Sequence, residues 1–283
     1  MLTTVVLAVS TSALFGVGDF LGGIASRKES ALAVTATAHG VGVVAFALAV
    51  LLFPATYAPV AIVAGASAGV LGGIGVASLY SALGRGRMSV VAPLTAALSG
   101  SLPALFDFAR GAQLEPTSLL GLGLALVATV IVSATASPEP TADGLGLPTS
   151  AVVLSVVAGF GFAGSFIAFS FAGDASGFWP LLAARVTSFT MLATLAFARR
   201  RTLRIDPSVR RATLGAGLLD ATANVTMISA IRLGPLAVAS VLGSLYPVVT
   251  VLLARVVLGE HLRGIQRLGV ALAFAAVVLA AWP

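Results

Sequence analysis

The 283-residue chain has no cysteine, which excludes disulfides, thiolate nucleophiles and cysteine-bound metal sites. Charge is almost as scarce: Asp, Glu, Lys and Arg make up 9% of residues, against about a quarter in soluble domains. Lys28 is the sole lysine, so no nucleotide-binding lysine motif exists and direct drive by ATP is excluded. What fills the space is apolar. Hydrophobic residues account for 58% and the mean hydropathy is +1.07, more apolar surface than a water-soluble core can absorb.

A bilayer span takes about 20 residues, so the length allows about ten spans and almost nothing else. Uncharged runs fall at 2–25, 31–53, 59–83, 88–109 and 117–136, then at 149–173, 177–198, 212–231, 236–254 and 265–282. The expected fold is therefore an all-α integral membrane protein with ten transmembrane helices in two five-helix units, 1–136 and 149–283. A proline- and acid-containing linker, 137–148, joins them. The first run has no basic leader and is too long for a signal-peptide core, so it reads as a retained span.

The formal charge of +6 would suggest nucleic-acid contacts, but the basic residues sit in short loops between apolar runs, so lipid is the expected partner and nucleic acid is not. Arg27, Lys28, Arg85, Arg87, Arg199, Arg200, Arg201, Arg204, Arg210, Arg211, Arg255, Arg263 and Arg267 all fall in odd-numbered loops; only Arg110 and Arg232 fall in even ones. The positive-inside rule then puts the odd loops in the cytoplasm and both termini outside. Within the first unit the basic loops are the first and third, and within the second they are the second and fourth. Opposite bias is what an inverted repeat requires. A faint similarity accompanies it: Ser81-Ala82-Leu83 with Gly86 matches Ser229-Ala230-Ile231 with Gly234, and Gly18 and Phe20 match Gly164 and Phe166.

The stretch from Tyr80 through Ser81-Ala82-Leu83-Gly84-Arg85-Gly86-Arg87-Met88-Ser89-Val90-Val91-Ala92 to Pro93 resembles the third-to-fourth-helix signature of the EamA family of the drug/metabolite transporter superfamily. Ala230 to Ser240, then Leu245-Tyr246-Pro247 and Leu258-Gly259-Glu260, are similar to its second-half pattern. The first half departs from it, with Gln113-Leu114-Glu115 in place of Gly-Glu. The resemblance implies two inverted halves around a cavity lined by spans three, four, eight and nine, helped by one and six, and secondary transport, commonly metabolite export. It also implies cytoplasmic termini, against the charge count.

An ionisable residue inside a span costs about 2.5 to 3.5 kcal/mol on insertion scales, so each is a functional candidate. There are five. Asp19, in Gly18-Asp19-Phe20-Leu21-Gly22-Gly23, is placed where small neighbours let a helix or substrate approach, which suits a proton carrier. Asp220 shares a helix face with Asn224, as a second proton-coupling or substrate group. Arg185 needs a partner, either Asp220 or a substrate carboxylate. Asp107 is expected to snorkel at a helix end, and His39 to be a packing residue. Pro93 and Pro103 in span four and Pro247 in span nine are expected to break those helices and free carbonyls around a cavity. Tyr80 and Tyr246 are candidate substrate contacts, while Trp179 and Trp282 read as interface anchors.

Two motif matches carry little. Gly159-Phe160-Gly161-Phe162-Ala163-Gly164 matches a dinucleotide fingerprint without a preceding strand, and Gly65-Ala66-Ser67-Ala68-Gly69 matches a nucleophile elbow that, with His39, would make an intramembrane hydrolase. Small residues at this spacing are ordinary helix-packing chemistry. The sequence thus predicts a non-enzymatic transporter of the inner membrane, monomer or homodimer and without cofactor, in which one half rocks against the other. Its expected cargo is a small neutral or zwitterionic metabolite, with multidrug efflux as the alternative.

Overall fold

The computed structural model describes residues 1–85, 88–134, 149–258 and 264–281. The 137–148 linker, Gly86, Arg87, Gly259, Glu260 and Trp282 lie outside the described residues, as does the side chain of Pro93. All regular structure among the described residues is helical: α1 Leu2–Ser26, α2 Ala31–Leu52, α3 Pro59–Arg85, α4 Met88–Ala109, α5 Pro116–Ala134, α6 Thr149–Phe169, α7 Trp179–Ala198, α8 Pro207–Leu233, α9 Leu236–Gly243, α10 Tyr246–Leu258 and α11 Gly264–Ala281, with a short 3-10 turn at Asp174–Ser176.

The distribution of side chains is that of a protein solvated by lipid. Val63, Phe160, Phe197 and Phe274 stand exposed on the outside, while Thr11, His39, Thr95, Arg185 and Ser188 are buried within. In hydrocarbon an unpaired polar group costs several kcal/mol, so polarity belongs inside and every backbone bond within a helix. Six helices (α1, α2, α3, α6, α7, α8) are long and apolar enough to cross a membrane, and four shorter apolar helical stretches accompany them among the described residues.

Two expectations are corrected and one is met. The eighth span begins at Pro207 rather than 212, because Asp206 accepts a hydrogen bond from Ser208 N at 2.7 Å and caps a helix that carries Arg210 and Arg211 in its first turn. The side-chain and backbone bonds from Ser208 hold the Asp206 carboxyl below the usual carboxylate range. The ninth span is broken as expected, into α9 and α10 on either side of Ser244-Leu245, and Pro247 falls in the first turn of α10, where a missing N–H is tolerated. Span four is not broken: α4 runs unbroken through both Pro93 and Pro103. Hydroxyls along it bond backbone carbonyls, Thr95 to Val91 and Ser155, Ser99 to Ala96 and Ser101 to Ala97.

The most extensive packing joins α3 with α6 and α7, α1 with α8, and α5 with α11; α4 packs on α6 and α9, α1 on α9 and α10, and α2 on α7 and α8. Exchanging the first five helices for the last five, with α9 and α10 counted as one, maps this set of pairs onto itself. Glycine makes the closest of these contacts possible: a methyl on Gly65 or Gly69 of α3 would run into the backbone of Pro180 or Ala184 on α7. The loops after α2, α4, α6 and α8 gather at one end. There Thr56 N donates to Ala175 O at 3.1 Å, Arg110 lies over the Phe106 and Phe171 rings, and Arg232 donates to Ser176 and Gly177. At the other end Asp206 N donates to Glu29 of the α1–α2 loop.

Candidate functional site

At the centre of the bundle a chain of polar groups crosses from α2 through α7 to α8. Arg185 Nη2 lies 2.6 Å from Asp220 Oδ2, a pairing by charge rather than an aligned hydrogen bond. Arg185 Nη1 donates to His39 Nε2 at 3.1 Å, which fixes the imidazole proton on Nδ1 and directs it to Ser188 Oγ at 2.7 Å. Ser188 passes its own proton to Arg185 O at 3.2 Å. On the far side Asn224 Nδ2 donates to Asp220 O at 2.8 Å and approaches Oδ1 at 3.4 Å. All five residues are buried, and Gly42 leaves room for the Arg185 stem, which a methyl there would meet at 2.9 Å.

Two chambers border this chain. One, of about 400 Å³, is lined by Gly69, Gly72 and Val76 of α3, Phe166 of α6, Arg185 of α7 and Asp220 with Asn224 of α8, among others. The second, of about 350 Å³, shares Phe15, Val76, Phe162, Phe166 and Asp220 with the first and adds Asp19, Ser99, Gly243, Ser244 and Tyr246. The shared residues make them one cleft, walled by α1, α8 and α10 on one side and by α3, α6 and α7 on the other.

The structure thus brings Asp19, Arg185, Asp220, Asn224 and Tyr246 to one cleft. Asp19 is half-buried and has no hydrogen-bond or ion-pair partner among the described residues. Tyr246 is buried, its hydroxyl directed at Ala92 O, 3.4 Å away, and buried Pro247 follows it in the first turn of α10. Tyr80 is elsewhere: its ring fills the space above Gly22 in the packing of α3 on α1. Asp107 does not snorkel. Its Oδ2 accepts from Ala237 N at 2.9 Å, so a carboxylate of α4 caps the start of α9, whose own preceding residue, Pro235, offers no side-chain cap.

The hydrolase motif has no catalytic geometry. Ser67 is exposed on the outside of α3, and His39 bonds Ser188 as a donor, so it cannot take that hydroxyl's proton. Gly159, Gly161 and Gly164 meet Leu98, Leu71 and Gly75 of neighbouring helices, which is packing.

Residues 149–282 match the model of the EamA-like transporter family. The second half of the chain is similar to that family. A solved crystal structure of a protein at 19% sequence identity is similar over 97% of this chain and 95% of that chain, with a TM-score of 0.73, and shows that the fold extends over both halves. No curated protein matches the chain. The chain is a multi-pass membrane protein, and its polar chain includes two groups that the sequence did not single out as parts of a site, Ser188 and, as a link to Arg185, His39. The signal available for His39 was its place eight residues into an apolar span; nothing local marks Ser188.

Proposed function

We propose that this EamA-like protein is a secondary transporter of the inner membrane. Its ten spans form two inverted five-helix halves, and it exports a small neutral or zwitterionic metabolite by alternating access to the central cleft. The observation that carries the reading is a cleft between two helix walls, crossed by one buried ion pair, Arg185 with Asp220. The exchange symmetry of the helix packing and the gathering of even-numbered loops at one end support the inverted arrangement. Ser81 and Ser229, the residues matched between halves, each bond the carbonyl four residues earlier at 2.7 Å.

The cleft suits such a cargo. A guanidinium and carboxylates can meet the two ends of a zwitterion, while Phe15, Phe162 and Phe166 accept its apolar part. Asp19 and Asp220 are the coupling carboxylates, through which a proton exchanges with transport. The aromatic wall also favours a second reading, efflux of varied apolar drugs.

A thermal-shift screen of the purified protein against amino acids, nucleosides and common drugs tests both. Stabilisation by one class of metabolite, lost in Asp220→Asn and followed by exchange of that ligand in vesicles, supports the first reading. Stabilisation by many unrelated drugs supports the second. A cleft that answers to none, in a protein whose vesicles move none, sinks transport.

A further inference from the structure

The two chambers of the cleft differ in what their oxygens lack. In the Asp19 chamber the serine hydroxyls direct their protons to backbone carbonyls, Ser99 Oγ to Ala96 O at 3.2 Å and Ser244 Oγ to Val241 O at 2.7 Å, and Ser99 is bonded to the Tyr246 hydroxyl as well. Both residues line the chamber, so each has only lone pairs left to offer. Gly243, also on the wall, is the last residue of α9. The residue four places on is Pro247, which has no N–H, so the Gly243 carbonyl loses its helical donor and accepts no other hydrogen bond among the described residues. Asp19 adds a carboxylate with no partner. The residues lining this chamber thus include a carboxylate, a glycine whose carbonyl lacks its helical donor and two serines with lone pairs left to offer, beside the Tyr246 hydroxyl.

A set of hard oxygen acceptors with net negative charge is matched by a hard cation, and unwound helix ends in transporters supply carbonyls for such ions. The charge count sets the valence. Arg185 pairs with Asp220, so Asp19, once it gives up its proton, is the one unpaired carboxylate of the chamber, and among the described residues no three His, Asp or Glu side chains cluster as a divalent site would ask. We infer that the Asp19 chamber is a binding site for a single monovalent metal cation, Na⁺, held by Asp19, the Gly243 carbonyl and the Ser99 and Ser244 hydroxyl oxygens. Water or substrate oxygen completes the shell. The inference rests on the reading of this cleft as the transport site and names the ion that shares the Asp19 carboxylate with the proton.

The test needs no substrate. The unfolding midpoint of the purified protein is followed from 0 to 300 mM NaCl, with choline chloride holding ionic strength constant, where the range is about that of ordinary ion titrations. Wild type is expected to gain about 3 °C with a saturating dose curve. Asp19→Asn should lose the shift while keeping the wild-type midpoint in choline, and Ser244→Ala should raise the half-saturating Na⁺ concentration about tenfold. Pro247→Ala, which returns an N–H to the Gly243 carbonyl, should weaken Na⁺ in the same direction, and it keeps the test sharp should Asp19→Asn not fold. Equal midpoints in Na⁺ and choline overturn the site, as does an Asp19→Asn protein that still responds to Na⁺, or a wild type that responds to pH alone. Metabolite or drug stabilisation that survives without any Na⁺ response would remove the ion site and leave transport standing. A Na⁺ response in a protein that moves no solute would do the reverse.

Discussion

The two chambers of the cleft share walls and differ in their accounts of charge. Around Arg185 the groups are paired, Ser188 with His39, His39 with Arg185, Arg185 with Asp220 by charge, and Asn224 with the Asp220 carbonyl. Around Asp19 acceptors outnumber donors and a carboxylate stands alone. A paired network holds helices in place, whereas an unmatched set is completed by what enters it. The difference predicts opposite responses to neutral substitutions.

Arg185→Met should have the largest effect, destabilising by about 3 to 5 kcal/mol in denaturant titrations in micelles, because it strands the Asp220 charge. Arg185→Met with Asp220→Leu should recover most of that loss; a double variant as unstable as the single one would show that the pair does more than cancel itself. His39→Phe should cost about 1 to 3 kcal/mol by leaving an Arg185 N–H and the Ser188 hydroxyl without their partner. Asp107→Ala should cost about 1 kcal/mol by uncapping α9, read most directly as faster amide exchange at Ala237. The smallest effect is expected at the second chamber: Asp19→Asn should lie within about 0.5 kcal/mol of wild type. If Asp19→Asn proves as damaging as Arg185→Met, the contrast between the chambers collapses.

The sequence makes the spans legible because hydropathy is a property of each segment alone. Nine of the ten expected starts lie within two residues of a helix start observed in the structure, and the exception, α8, hides its Asp206-Pro207 cap beneath two arginines that read as loop. The Arg185–Asp220 pair was legible as well, since an unpaired guanidinium in a membrane is costly enough to demand a partner. What hydropathy cannot carry is the meeting of distant segments. Asp107 finds Ala237 across 130 positions, and Tyr80 packs its ring against Gly22 of α1. Proline shows the same limit. α4 accommodates two prolines, with serines and threonines close by, whereas in α9 the residue that loses its donor is Gly243, which has no side chain and little preference for a helix.

The weave of the bundle bears on how it can move. Each wall of the cleft takes helices from both halves: α3 stands with α6 and α7, and α1 with α8 and α10. A hinge placed at the linker between the halves would tear the glycine seam that locks α3 onto α7. On the transport reading, the units that would pivot are these mixed walls, with the two halves interlaced like fingers and the Arg185–Asp220 bridge a bolt drawn across the seam.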